Sequence, residues 1–189
     1  METLKKHSEL IEQVGKLAVA NRRKGFHCSE CVFLAVNETL KITDPSMVRV
    51  ITGFHGGGGS RRKNADVTKV LNEAASGRLT GPIEEIPIEI TGHLCGALPA
   101  GIICFGFLYG RQQPEDDLTC VDELSFEYHQ RFQKEFGFKL CTEIREKWVP
   151  VSENGTCEWI YARASSLIVE LLLESGDLID RCPEFVPPA

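Results

Sequence analysis

Eight cysteines are the residues of this 189-residue chain best suited to chemistry, and four of them share a local setting. Cys28 follows Gly25-Phe26-His27, and Cys95 follows Gly92-His93-Leu94. Cys141 comes soon after Gly137, and Cys157 follows Thr156, which suits the N-cap of a helix. Each therefore stands near a predicted helix start. The first turn of a helix carries unpaired backbone N–H groups and the positive end of the macrodipole. Both favour thiolate over thiol and predict pKa values below the usual ~8.5. Thiolate binds soft metals and attacks disulfides, so two chemistries follow. In the first, Cys28, Cys95, Cys141 and Cys157 ligate an iron–sulfur cluster or another thiolate-bound metal for electron transfer. In the second, Cys28 with Cys95, or Cys28 with Cys31, forms a reversible disulfide by exchange through a mixed disulfide.

Other motifs narrow these options. Cys28-Ser29-Glu30-Cys31 is a CxxC, but no second CxxC makes a zinc ribbon, and Val32 stands where c-type haem attachment needs His. Cys31 is thus an accessory thiol, and no c-type haem is expected. His27, His55 and His93 could replace a ligand or donate hydrogen bonds to one, although an ordinary surface role explains each as well. Gly56, Gly57, Gly58 and Gly59 cannot form a stable helix interior or strand. They predict a loop whose backbone, with His55, can approach a cofactor. Followed by Arg61, Arg62 and Lys63, the loop also offers a third chemistry, anion or nucleotide binding, although it lacks the Walker lysine. GxSxG, HExxH and EF-hand patterns are absent.

The elements that must position these residues read as helices. Leu10, Ile11, Val14, Leu17 and Ala18 make an apolar stripe over Ser8–Arg23, stopped by Gly25. A second helix runs from His27–Ser29 to Leu40. Asp44-Pro45 starts a third, ending near Gly53. Asn64–Ser76 has helical spacing, and Leu79–Gly92 reads as irregular or extended because of Pro82 and Pro87. Cys95–Gly110 is a buried helix by composition. A long helix starts at Pro114 and breaks at Gly137, a short one carries Cys141, and a last one runs from Cys157 to Glu174. The expected fold is all-α: one helical domain over 1–189, a bundle of about six to eight helices with a Gly-rich loop, a partly irregular insert at 60–92 and an irregular tail at 183–189.

Hydrophobic residues make up 42% of the chain, enough for a core, and the net charge of -6 excludes general nucleic-acid binding. The N-terminus reads as an amphipathic helix rather than a signal peptide, and the uncharged run Leu94–Gly110 is short for a membrane span. These features place the chain in the cytoplasm, away from membranes, where thiols are kept reduced and no structural disulfide is expected. A redox function calls for a redox partner protein. Phe126, Phe132, Phe136 and Phe138 either extend the core or face a second subunit in a homo-oligomer.

The ordered motifs resemble a family of redox-active proteins named for its cysteine pattern, C-GCAxxG-C-C. Gly25-Phe26-His27-Cys28-Ser29-Glu30-Cys31-Val32 is similar to its first cysteine motif, and Gly53-Phe54-His55-Gly56-Gly57-Gly58-Gly59 to its glycine-rich loop. Cys95-Gly96-Ala97-Leu98-Pro99-Ala100-Gly101, continuing to Gly106-Phe107-Leu108-Tyr109-Gly110, resembles its central helix. Phe136-Gly137-Phe138-Lys139-Leu140-Cys141 and then Cys157 resemble its last two cysteine positions. By this resemblance the family cysteines are Cys28, Cys95, Cys141 and Cys157. The chain departs from the pattern in the long connection Ser60–Gly92, in Pro99, in His27 and His55, and in the additional Cys31, Cys104, Cys120 and Cys182.

Overall fold

A computed structural model describes residues 2–62, 88–153, 155–179 and 182–187. Helix α1 spans Glu2–Arg23 and buries the predicted stripe through Val14 and Ala18. It starts six residues before Ser8, where Lys5–Glu9 and Glu12–Lys16 pair one turn apart. Gly25, at φ 100°, turns the chain into α2, Cys28–Leu40. Helix α2 is buried over most of its length and packs against α1, against α3 (Ala97–Tyr109) and against α6 (Glu158–Leu178). Helix α4, Thr119–Phe136, lies on α3 and α6, and the short α5, Cys141–Trp148, follows it. The architecture is the expected helical bundle. Its described strands, β1 (Ser60–Arg62) and β2 (Ile88–Ile90), pair antiparallel with Arg61 opposite Glu89.

The core is built on aromatic residues spaced one turn apart along α4. Tyr128, Phe132 and Phe136 are fully buried and meet edge to face at centroid distances of 6.0 and 4.6 Å. Phe105 extends the row at one end, and Trp159 and Trp148 at the other. Gly101 of α3 makes this possible, because a Cβ there would lie 2.4 Å from the Tyr128 ring. The Tyr128 hydroxyl donates to the Ala97 carbonyl at 3.1 Å. Of the four phenylalanines singled out above, Phe132 and Phe136 belong to the core, Phe138 is half-buried and Phe126 is exposed.

Local chemistry moves several boundaries. The helix expected from Asp44-Pro45 to Gly53 is two 3-10 segments, Pro45–Val50 and Thr52–Phe54. Asp44 caps as expected, accepting from Ser46 N–H at 2.8 Å, but neither segment buries a residue, so no packed stripe supports a longer α-helix. Helix α4 begins at Thr119 rather than Pro114, because the preceding acids make turns instead. Asp116 accepts from the N–H groups of Gln112 and Gln113, and Asp117 from that of Thr119. Helix α6 continues through Gly176 to Leu178. The predicted helix Asn64–Ser76 and most of the 60–92 insert lie outside the described residues. No helix among the described residues is long and apolar enough to cross a membrane.

One expectation is corrected. Cys120 at the start of α4 and Cys182 beyond α6 form a disulfide across 62 residues. The cysteines are brought together because α6 runs beside α4 and returns the tail to its first turn. A crosslink of that span restricts the unfolded chain, so the C120S/C182S variant is expected to lose about 2–4 kcal/mol of stability. Denaturant midpoints of the oxidised protein and the variant check this, and equal midpoints would contradict it.

Candidate functional site

A backbone lattice holds three distant segments in register. Gly92 N–H donates to Gly56 O and Thr91 N–H to Gly59 O, each at 3.0 Å, which fixes the His55–Gly58 turn against the strand end. Gly56 and Gly57 have left-handed backbones (φ 66° and 81°), so the expected open loop is a tight turn. A Cβ on Gly57 would lie 2.4 Å from His93 N. The same strip then meets the chain entering α5. Cys95 N–H donates to Lys139 O at 2.8 Å, Cys141 N–H donates to His93 O, and Leu94 and Leu140 form an antiparallel bridge. Cys95 and Cys141 thereby fall diagonally across the Leu94–Leu140 bridge.

Cys28 arrives from the opposite side. The Phe26 carbonyl accepts from Arg22 Nη1 at 3.2 Å and from Cys31 Sγ at 3.4 Å. Glu30, buried, accepts from His27 N–H and from the Thr52 hydroxyl, both at 2.8 Å, tying the start of α2 to the segment before the glycine turn. A Cβ on Gly96 would fall 3.1 Å from Cys28 Sγ and 2.8 Å from Phe54 O. Only a residue without a side chain lets the Cys28 sulfur rest against the residue that follows Cys95. Cys157 stands at the N-cap position of α6 without a side-chain capping bond, and Thr156 Oγ1 accepts from Glu158 N–H at 3.2 Å.

These elements enclose a cavity of about 450 Å³ lined by Cys28, Cys95, Cys141 and Cys157. His27 and His55 stack at its edge with centroids 4.3 Å apart, and His55 Nδ1 meets Ser60 Oγ at 3.0 Å. Arg22, Arg145 and Tyr161 also line it, on the same helices as cysteines or next to them. Of the other residues singled out from sequence, Gly56 lines the cavity, Gly57 is packed against the Gly92–His93 backbone, and Gly58 and Gly59 adjoin Thr91. Cys31 is turned into the core, and His93 is exposed away from the cavity. Arg61 is engaged by Glu89 at 2.6 Å. Sequence reasoning overlooked Tyr161 and gave Arg145 no role. Both stand four residues after a cysteine, Cys157 and Cys141, and that spacing puts them on the cysteine's helical face.

The expected lowering of the thiol pKa values is overturned at Cys28, Cys95 and Cys141. Burial pushes Cys28 and Cys95 up, and the neighbouring cysteines push Cys95 further. Burial, aided by Cys28 and Cys157, takes Cys141 to about 12, and burial likewise takes Cys31 to about 12. Desolvation of a thiolate outweighs the helix dipole where the sulfur is buried. At Cys28 four influences oppose burial: the N–H groups of Gly56 and Ser29 and the charges of Arg22 and Arg145. Burial also keeps His55 below the usual imidazole range, although Glu30 partly offsets this, so the ring is neutral near pH 7. Among the described residues, no three His, Cys, Asp or Glu side chains are gathered to hold a metal ion. The four cysteines line one cavity.

A family model described as "Putative redox-active protein (C_GCAxxG_C_C)" matches residues 77–171. The match takes in Cys95, Cys141 and Cys157 together with Arg145 and Tyr161, while Cys28 precedes it. No curated protein and no solved structure matches the chain.

The raised thiols link stability to alkaline pH. The fold holds the protons of Cys31 and Cys141 up to about 12, whereas the unfolded chain releases them near ~8.5. Between those values the unfolded state binds fewer protons, so stability is intact below the unfolded pKa and is lost as pH rises through the folded one. Denaturant midpoints in reductant are expected to fall steadily above pH ~8.5, with a shallower fall in C31A. A flat profile to pH ~11 would contradict this.

Proposed function

The chain belongs to the C_GCAxxG_C_C family of redox-active proteins, and from that premise we propose that it is a thiol–disulfide redox protein working through Cys28 and Cys95. The observation that carries this reading is the gathering of Cys28, Cys95, Cys141 and Cys157 around one cavity from four separate segments. Cys28 is the attacking thiol. It is half-buried rather than enclosed, and two backbone N–H groups and two guanidiniums favour its thiolate against burial. Cys95 is the resolving thiol, buried behind Gly96, on which the Cys28 sulfur rests.

The exchange proceeds in two displacements. Cys28 thiolate attacks one sulfur of a disulfide in the oxidised substrate. The substrate S–S bond breaks, and the leaving thiolate takes up a proton. Cys95, deprotonated in turn, attacks Cys28 in the mixed disulfide and expels the second thiolate, which is also protonated. The protein ends with a Cys28–Cys95 disulfide, having passed two electrons and two protons to the substrate. A redox partner protein restores the dithiol. Cys141 and Cys157 lie close enough to influence one another and supply a second dithiol to the cavity. Cys31, whose sulfur donates to Phe26 O, stays accessory. A cytoplasmic setting belongs to this proposal; the six free thiols accord with it, and the Cys120–Cys182 disulfide runs against it.

A second reading is favoured by the like-charge opposition among the cavity cysteines, since Cys28, Cys141 and Cys157 all disfavour the Cys95 thiolate. A cationic iron–sulfur core would relieve that opposition, with Cys28, Cys95, Cys141 and Cys157 as its ligands and one-electron transfer as its chemistry.

Purification without oxygen, followed by iron content, the visible spectrum and thiol titration, separates the two. The thiol reading predicts little iron, loss of two thiols per chain on mild oxidation, recovery with reductant and no such loss in C28S. Stoichiometric iron with sulfide-type absorption that disappears in C95S would give the cluster reading precedence. Inert thiols and no metal would end both.

A further inference from the structure

The exchange through Cys28 and Cys95 gives Cys141 and Cys157 no step, although both line the same cavity. The place of Cys141 is set by backbone. Leu94 and Leu140 pair antiparallel, with Cys95 N–H bonded to Lys139 O and Cys141 N–H to His93 O. Cys95 and Cys141 are thus diagonal neighbours on one face of the bridge. The Cα atoms of such neighbours stand ~7–8 Å apart, outside the ~4.4–6.8 Å that a disulfide spans. Direct transfer between Cys95 and Cys141 is closed.

Cys28 is placed differently. Its sulfur rests against Gly96, beside Cys95, where a Cβ would lie 3.1 Å from it. Among the cysteines, Cys28 also acts most strongly on both Cys95 and Cys141, ahead of Cys157 in each case. Charge influence falls with separation, so one sulfur neighbours both. Cys157 in turn acts on Cys141 from the start of α6. The order across the cavity is Cys95, Cys28, Cys141, Cys157.

We propose that Cys141 and Cys157 are a second redox pair, charged by disulfide exchange through Cys28 inside the cavity. The proposal rests on the thiol reading above and adds two catalytic residues to it. Cys141 thiolate attacks the Cys28 sulfur of the Cys28–Cys95 disulfide. That S–S bond breaks, and the Cys95 thiolate takes up the proton that Cys141 gave up. Cys157 thiolate then attacks the Cys141 sulfur of the Cys28–Cys141 disulfide, and the released Cys28 thiolate takes up the Cys157 proton. Cys28 and Cys95 are a dithiol again, and Cys141–Cys157 is the disulfide. Two electrons have passed from the second pair to the first without an outside reactant. With one disulfide present, the exchange shares it between the pairs, and Cys28–Cys95 remains populated. A second substrate disulfide oxidises Cys28 and Cys95 once more, so a reduced chain delivers four electrons before its partner protein must return.

The test is disulfide mapping by mass spectrometry after the reduced full-length chain meets excess bis(hydroxyethyl) disulfide. The expected cavity bridges are Cys28–Cys95 and Cys141–Cys157, with Cys31 and Cys104 free. The variant C95S/C157S isolates the transfer step, since Cys28 and Cys141 are then the only thiols lining the cavity. It is expected to form a Cys28–Cys141 bridge within several-fold of the rate at which C141S/C157S forms Cys28–Cys95. Unfolding in urea should abolish that preference, and circular dichroism establishes that each variant is folded. No Cys28–Cys141 bridge in folded C95S/C157S, with Cys28–Cys95 still forming in C141S/C157S, would overturn the relay and leave the thiol reading standing. A wild-type chain that stops at Cys28–Cys95 in excess oxidant would do the same. A cavity that forms no bridge in any of these proteins would overturn both.

Discussion

Three backbone strips meet where Gly57 lies on the Gly92–His93 peptide, and no side chain fits between them. Everything at the candidate site depends on that contact. It lets the glycine turn hydrogen-bond to the strip running from Thr91 to Cys95, which in turn bridges to Leu140 and Cys141. Gly96 extends the same constraint, since its missing side chain admits both Phe54 O and the Cys28 sulfur. The bundle helices supply stability through the aromatic row on α4, but thiols from distant parts of the sequence become neighbours through the glycines.

Such close packing has an electrostatic consequence. A thiol at a helix start in water inclines toward thiolate, yet the same thiol packed into the fold must give up hydration, and burial prevails at Cys28, Cys95 and Cys141. The site therefore keeps Cys28, Cys95 and Cys141 protonated at rest. Cys28 stands apart because Gly56, Ser29, Arg22 and Arg145 all act on it against burial. In the proposed exchange, that imbalance distinguishes the attacking sulfur from the reserve ones.

Much of this was legible in the sequence. The stripe Leu10–Ala18, the helix start at Cys28 and the break at Gly137 follow from periodicity and stop signals, which are local. The grouping of Cys28, Cys95, Cys141 and Cys157 came from motif order, and all four line one cavity. What could not be read was non-local. Cys120 and Cys182 meet only because α6 returns the tail to α4, a fact of tertiary path. The direction of the thiol pKa shifts depends on how completely the cavity closes, and helix-start arguments have no access to that. Tyr161 drew no reading from the sequence. Its unpaired hydroxyl is visible only once its surroundings are known.

The central claim is that Cys28 and Cys95 are a working pair while the core thiols are bystanders. Disulfide mapping by mass spectrometry, after mild oxidation of the fully reduced, folded chain, tests it most directly. The account predicts a Cys28–Cys95 bridge alongside the Cys120–Cys182 one, with Cys31 and Cys104 still free. Bridging that leaves Cys28 untouched, or oxidation at Cys31 and Cys104 ahead of the cavity, would contradict it.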